Sequence, residues 1–242
     1  MSMQLLGAEP KPAESQIEPV VFQSADRKTT LLELFTSEGC SSCPPAEAWL
    51  SRLKDDPSLW KSFVPLAFHV DYWNRLGWTD RYSSPQWTER QSRYAALWSS
   101  ESVYTPAFVL NGSEWRSWPG KIPSPNEKRS GQVQASSDDG QRWTVEFQPA
   151  QGENGEWETH LALLGSGISA KIGAGENSGR NLAHDFVVLS QASEVMKNDG
   201  SRAAASLTIA KPKESPPRMA VGIWVSRRGQ LTPVQATGGW IQ

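Results

Sequence analysis

The only two cysteines of this 242-residue chain, Cys40 and Cys43, are the feature that most constrains its fold. The apolar run TLLELFT at residues 30–36 leads towards them and is typical of a buried strand. Pro44 and Pro45 follow the Cys-Ser-Ser-Cys turn, and the apolar residues after them recur at helical spacing. The segment therefore predicts a strand that ends in a Cys-x-x-Cys turn at the N-terminus of a helix.

This placement has a chemical consequence for the first cysteine. The first turn of a helix has unpaired backbone N–H groups and a partial positive charge, which stabilise a thiolate. We therefore expect a lowered pKa for Cys40, which would make it the attacking thiol, while Cys43 lies about one turn away and would resolve a mixed disulfide. Cys-x-x-Cys also occurs in metal sites and in structural bridges, so these two alternatives stay open.

A second motif, VYTPAFVLNG at residues 103–112, supports the redox interpretation. Pro106 stands at the first residue of an apolar strand, and Asn111-Gly112 is a strong hairpin signal. Together with the cysteine turn, this pattern resembles the segment that carries a cis-proline beside the cysteines in thioredoxin-type folds, and the resemblance predicts a cis peptide bond before Pro106. The backbone of Thr105 would then pair with an extended substrate chain.

The predicted secondary structure of the chain changes after about residue 118. Before it, strand signals alternate with helical ones, and Ser84 and Pro85 predict the N-terminus of a second helix over 85–98. After it, only strand candidates follow, separated by Gly, Asn, Asp and Pro. We expect three parts: a flexible leader at 1–17, an α/β domain at 18–125 and a β domain at 126–242.

Three stretches of the chain also resemble a known family. They are ELFTSEGCSSCPPAE, AFHVDYWNRLGWTDRYSSPQWTERQSRYA and VYTPAFVLNG, and a fourth, GENSGRNLAHDFVVL at 175–189, matches more locally. They resemble the bacterial domain-of-unknown-function family 1223, whose members are predicted secreted proteins with a thioredoxin-like fold. The resemblance implies a thioredoxin-like fold for the α/β domain and a periplasmic or secreted location. The strand candidates after this domain predict an all-β antiparallel sandwich-like domain. The resemblance implies no substrate.

Other side chains are candidates for roles around the cysteines. Glu33, on the strand that leads to them, is a candidate for proton relay, whereas Glu38 is expected to be solvated. The aromatic insert DYWNRLGWTDRYSSPQW, at residues 71–87, offers Trp73, Trp78 and Arg75 as residues that would bind a substrate.

Two further functions stay open at this point. Cys40 and Cys43 together with His69 or His184 would suit copper or zinc, because thiolates and imidazoles are ligands for both metals. Alternatively, the cysteine pair is a permanent disulfide in a recognition module that catalyses nothing. The third histidine, His160, is expected to face the solvent.

Composition excludes several classes of function. The formal net charge of −2 gives no electrostatic reason to expect a nucleic-acid partner. No stretch has the roughly 20 apolar residues of a membrane-spanning helix. No glycine-rich phosphate loop appears, and no cofactor is expected. The expected partner is a protein or small-molecule thiol or disulfide, and oligomeric state is left open.

Overall fold

The strand that leads to the cysteines lies inside an eight-stranded mixed sheet. The structure is a computed structural model, and it describes residues 19–123, 129–212 and 214–241. The predicted leader at 1–17 lies outside these residues. In chain order, the strands are β1 (Val20–Gln23), β2 (Thr30–Thr36), β3 (Phe63–His69), β4 (Ala107–Leu110), β5 (Ser113–Glu114), β6 (Gln132–Ser137), β7 (Arg142–Gln148), β8 (Trp157–Ser166), β9 (Ile168–Lys171), β10 (Asn181–His184), β11 (Val187–Val195), β12 (Lys197–Asn198), β13 (Ala203–Thr208), β14 (Arg218–Arg227) and β15 (Pro233–Ile241).

The described residues form two α-helices, and both begin where the sequence predicts. Helix α1 (Pro44–Arg52) follows the cysteine turn and continues into a short 3-10 turn. Helix α2 (Pro85–Leu97) begins at the end of the aromatic insert. Ser84 caps α2, because its side chain accepts a hydrogen bond from the backbone N–H of Gln86. A second 3-10 turn, Asn74–Leu76, lies within the insert.

The two helices cover opposite faces of β2. Because strand side chains alternate between the two faces of a sheet, neighbouring residues of β2 pack against different helices. Leu32 and Leu34 pack with α1, whereas Leu31 and Phe35 pack in the core that includes residues of α2. Every residue of β2 is buried, so neither face of the strand meets solvent. The cysteine turn, at the C-terminal end of β2, therefore follows a fully buried strand.

The eight-stranded sheet has the order β15-β14-β8-β11-β3-β2-β4-β5. Strand β3 pairs in parallel with both β2 and β11, and the pairs formed by β8, β14 and β15 are antiparallel. A five-stranded sheet, β1-β6-β7-β13-β12, shares a hydrophobic core with β8 and β14. The β9–β10 hairpin is separate and lies against α1.

The expected fold class, an α/β thioredoxin-like domain followed by an all-β antiparallel sandwich-like domain, is wrong. Strand residues far outnumber helical ones in the described residues, and the sheets are mixed and antiparallel. The sheet that contains β2 does not end with the first half of the chain, because β3 pairs with β11 through Ala67 and Val187. The border predicted near residue 125 stays a prediction, and the eight-stranded sheet takes strands from both sides of it.

Several local predictions are confirmed, although the predicted fold class is wrong. The Asn111-Gly112 turn joins β4 to β5, although β5 is only two residues long. The peptide bond between Thr105 and Pro106 is cis, as predicted. Within the described residues, neither helix has the length and apolar character needed to span a bilayer.

Candidate functional site

Cys40 and Cys43 form a disulfide at the N-terminus of α1. Their Cα atoms are 5.4 Å apart, and Cys43 is the N-cap residue of the helix. Both cysteines are fully buried, whereas Ser41 and Ser42 between them are exposed. The sulfur pair therefore lies just beneath a two-residue surface turn.

The segment that contains the cis proline lies beside this turn. The Ser42 hydroxyl is 3.3 Å from Cys40 Sγ and donates a long hydrogen bond of 3.5 Å to the Thr105 carbonyl oxygen. Trp73 Nε1 donates to Thr105 Oγ1 at 2.8 Å. The structure thus brings the predicted residues Thr105, Pro106 and Trp73 together with the cysteine turn.

The segment after β9 holds the turn from its other side. Asn177 is fully buried, and its side-chain amide donates to the carbonyl oxygens of Glu38 and Cys40, at 2.9 and 3.0 Å. The exposed carboxylate of Glu176 accepts hydrogen bonds from the backbone N–H and the hydroxyl of Ser41. Residues far along the chain therefore fix the conformation of the cysteine turn.

The two other predicted binding residues differ in their surroundings. Trp78 Nε1 donates to Glu38 Oε2 at 2.7 Å, and its ring packs against the β9–β10 hairpin. Trp78 therefore joins the insert to the cysteine side of the sheet. Arg75 lies in the exposed 3-10 turn of the insert. The assignment of Trp73, Trp78 and Arg75 to substrate binding stays a prediction.

A buried group of charged side chains lies on the α1 face, below the cysteine turn. Glu47 follows Cys43 by one helical turn and forms a very short ion pair with His184 Nδ1. The other Glu47 oxygen accepts from Thr36 at 2.5 Å. His184 Nε2 lies 3.3 Å from Glu38 Oε1, at ion-pair distance, although the two atoms are not aligned for a hydrogen bond.

The second histidine of this group comes from the end of β3. His69 Nδ1 lies 2.7 Å from Asp80 Oδ2, and both side chains are fully buried. The rings of His69 and His184 meet edge to face, with centroids 5.2 Å apart. We call Glu38, Glu47, His69, Asp80 and His184 the histidine cluster.

The charges of the histidine cluster shift the pKa values of its members. Burial works to lower the pKa of His184, but the close contacts and negative charges of Glu38 and Glu47 outweigh it and raise this pKa to about 10. Burial works to lower the pKa of His69 too, but the charge of Asp80 raises it. Burial works to raise the pKa values of Glu47 and Asp80, but their histidine partners lower them.

Glu33 lies on the opposite face of the sheet, in the α2 core. Its two carboxylate oxygens accept hydrogen bonds from Arg90 Nε and Tyr94 Oη, each at 2.6 Å. Burial works to lower the pKa of Arg90, but the charge of Glu33 outweighs it and raises this pKa. The role of Glu33 as a proton relay stays a prediction, and its contacts are those of a buried ion pair.

Three expectations about single residues need comment. Glu38 is buried rather than solvated, because its backbone and side chain bond to Asp80 and Trp78. His160 does not face the solvent. It is buried against Trp224, and its two ring nitrogens contact the hydroxyls of Ser193 and Ser226.

Sequence reasoning missed Glu47, Asp80 and the role of Asn177. A signal existed for Glu47, because the spacing from Cys43 to Glu47 puts the two residues on one face of the helix. No local signal marks Asp80 or Asn177, since their contacts depend on how the insert and the β9–β10 hairpin fold back onto the turn.

A large cleft lies between the insert and the second half of the chain. It has a volume of about 870 Å³, and its lining includes Arg81, Tyr82, Trp87, Ile168 and Leu189. Neither cysteine lines this cleft, and neither do the residues of the cis-proline segment. The cleft is therefore separate from the disulfide.

These features define the class: a mostly β protein with a buried Cys-x-x-Cys disulfide at a helix N-terminus. The chain belongs to the family described as "Protein of unknown function (DUF1223)", whose model matches residues 31–226. The predicted family resemblance is thus confirmed. No curated protein matches the chain in sequence.

Two solved structures have a similar fold. One is the crystal structure of a protein from Agrobacterium tumefaciens, with a TM-score of 0.59 and 24% identity, covering 90% of this chain and 96% of that one. The other is HBP35 of Porphyromonas gingivalis, also with a TM-score of 0.59 but with 13% identity, covering 89% of this chain and 76% of that one. At such identities, the likeness concerns the fold alone.

Proposed function

We propose that the protein carries out thiol–disulfide exchange through Cys40 and Cys43. In the reducing direction, the Cys40 thiolate attacks a substrate disulfide, so that one substrate thiolate leaves and takes up a proton. The Cys43 thiolate then attacks the Cys40 sulfur, which releases the second substrate thiol and restores the Cys40–Cys43 disulfide. The opposite direction runs through the same mixed disulfide.

The observation that carries this proposal is the position of the disulfide at the N-terminus of α1. The helix dipole favours a thiolate there. The Ser42 hydroxyl is close enough to Cys40 Sγ to donate a hydrogen bond to that thiolate. Both effects favour Cys40 as the attacking sulfur.

The cis-proline segment supplies the proposed docking surface. The Thr105 backbone lies next to Ser42, so a peptide that pairs with it would run past the cysteine turn. Trp73 holds the Thr105 side chain, and its ring would contact the same peptide. We propose Thr105, Pro106 and Trp73 as the contact residues, with Trp78 and Arg75 at the edge of this surface.

A trapping experiment tests the proposal. The Cys43→Ser variant lacks the resolving thiol, so it should accumulate a mixed disulfide when mixed with an oxidised two-cysteine peptide. Mass spectrometry after acid quenching would measure it. The matched Cys40→Ser variant should accumulate at least tenfold less. Equal trapping by the two variants, or none by either, would contradict the proposal.

The complete burial of both sulfurs favours a second candidate, a permanent disulfide in a recognition module. In that case, reagents reach neither cysteine without unfolding, and the trapping experiment gives no product. Under either function, we propose a periplasmic or secreted location, since disulfides persist in oxidising compartments. The copper or zinc set that includes both cysteines requires the reduced form, because the sulfurs are bonded to each other in the structure.

A further inference from the structure

The histidine cluster contains buried polar atoms that have no hydrogen-bond partner among the described residues. They are His69 Nε2, His184 Nε2 and Glu38 Oε1. Buried polar groups without partners are uncommon in folded proteins, because each loses its hydrogen bonds to water without a replacement. His184 Nε2 and Glu38 Oε1 lie 3.3 Å apart as an ion pair, so His69 Nε2 is the atom with neither a hydrogen-bond nor an ion-pair partner among the described residues, and it indicates that the cluster can hold a ligand.

One ligand atom from each of Glu47, His69 and His184 lies within 4.8 Å of the other two, and all three residues are buried. From these contacts, we infer that Glu47, His69 and His184 form a binding site for a divalent transition-metal ion, with Zn²⁺ as the best fit. Two imidazoles and one carboxylate are a ligand set that Zn²⁺ accepts, with bonds of about 2.0–2.2 Å. A tetrahedral site has its ligand atoms about 3.4 Å apart, so the directly paired atoms of Glu47 and His184 would have to separate to admit the ion.

The carboxylates beside the two histidines are the strongest support for a metal site. A metal-bound histidine usually donates its other ring N–H to a carboxylate, which fixes the orientation of the ring. His69 has this arrangement, since Asp80 contacts Nδ1 at 2.7 Å and Nε2 has no hydrogen-bond partner in the described part of the chain. Glu38 is placed in the same way beside His184 Nε2, at 3.3 Å, which leaves Nδ1 directed at Glu47.

The charges of the cluster are compatible with a bound divalent ion, which would replace the two positive charges of the histidines because metal-bound histidines are neutral. The cluster buries three carboxylates, on Glu38, Glu47 and Asp80, and all their ion pairs in the described residues are with His69 and His184. Buried carboxylates need opposite charge close by. A divalent ion supplies two positive charges to this group, which is as many as the two histidines can supply together.

The site does not depend on thiol–disulfide exchange, since neither cysteine is a ligand. The test therefore uses the full chain with its disulfide intact. The protein is refolded from urea with a small excess of ZnCl₂, free metal is removed by gel filtration, and bound zinc is measured by plasma mass spectrometry. We expect about one Zn²⁺ per chain and a higher midpoint of thermal unfolding than for protein refolded with EDTA.

Variants identify the ligands. His69→Gln and Glu47→Gln should each lower the affinity for Zn²⁺ at least tenfold. The control is His160→Gln, because His160 is also buried but lies outside the cluster, and it should retain the metal. Wild-type protein without zinc, or equal zinc content in all three variants, would overturn the inference.

A milder variant covers the case in which the ligand variants do not fold. Asp80→Asn keeps the shape of the side chain that orients His69, removes its negative charge and replaces one acceptor oxygen with an amide NH2 group. We expect this variant to lose about 10- to 100-fold in Zn²⁺ affinity, as is typical for second-shell changes. An unchanged affinity in folded Asp80→Asn would contradict the proposed arrangement.

Discussion

Glu33 and Glu47 are both buried beside β2, but they lie on opposite faces of the sheet and in different surroundings. Glu33 belongs to a closed group, in which Arg90 and Tyr94 satisfy both of its oxygens. Glu47 belongs to the histidine cluster, in which three polar atoms have no hydrogen-bond partner among the described residues. The incomplete group lies on the face that carries the cysteines, which is the face on which we propose both binding and chemistry, whereas the closed group has the contacts of a buried ion pair.

The largest expected effect comes from removing a partner of the buried Glu33 carboxylate. Arg90→Met removes the partner of a buried carboxylate and leaves its charge uncompensated, so we expect a loss of about 3–5 kcal/mol in the free energy of unfolding. Urea denaturation followed by circular dichroism would measure it. The control is Arg93→Met on the exposed side of α2, which should cost less than about 1 kcal/mol. Equal losses in the two variants would remove the distinction between the two faces.

The next largest effect concerns His160. Both of its ring nitrogens have partners, so it serves as a comparison for His69. Burial, together with the positive charges of Arg90 and Arg93 on α2, lowers the pKa of His160 to about 3. Below its ordinary pKa of about 6.5, the unfolded chain therefore binds a proton at this residue that the folded chain does not bind. Stability is present above pH 6.5 and falls as the pH decreases towards 3.

The comparison of wild type with His160→Gln isolates this effect. Between pH 6.5 and 4.5, the wild type should lose about 2–3 kcal/mol more than the variant, because the titration of the carboxylates is common to both proteins. Urea denaturation at several pH values would measure the difference. Parallel pH profiles for the two proteins would contradict the assignment of His160 as a buried, neutral histidine.

The smallest effect concerns the cysteine turn itself. Ser42→Ala removes the hydroxyl that lies 3.3 Å from Cys40 Sγ, so the pKa of the reduced Cys40 thiol should rise, by less than about one unit. The pH dependence of iodoacetamide alkylation would measure it. The exposed Ser41 provides the control, since its hydroxyl bonds to Glu176 instead of to the sulfur. A lower pKa in Ser42→Ala would exclude a stabilising hydrogen bond.

The sequence predicted the features that depend on neighbouring residues. The strand before the cysteines, the helix after Pro44 and the cap at Ser84 all have local signals, and the structure has all three. The pairing of β3 with β11 has no such signal, because Ala67 and Val187 are far apart in the chain. The fold class was therefore wrong although most elements were correct.

The histidine cluster was only partly predictable for the same reason. The sequence offers His69 and His184 as candidates only for an alternative metal site that has sulfur ligands. Their actual neighbours, Glu47 and Asp80, depend on the β9–β10 hairpin lying over α1 and on the insert folding back onto β3. Only the folded chain brings these four side chains together.

The reduction potential of the Cys40–Cys43 pair tests the proposed function most directly. Equilibration of the protein with mixtures of reduced and oxidised glutathione, followed by quenching and mass spectrometry, would give this potential. An exchange-active pair should have a potential above about −270 mV, so that glutathione converts part of it to the dithiol. A pair that stays fully oxidised in millimolar reduced glutathione, with a potential below about −300 mV, would be a structural bridge and would contradict thiol–disulfide exchange.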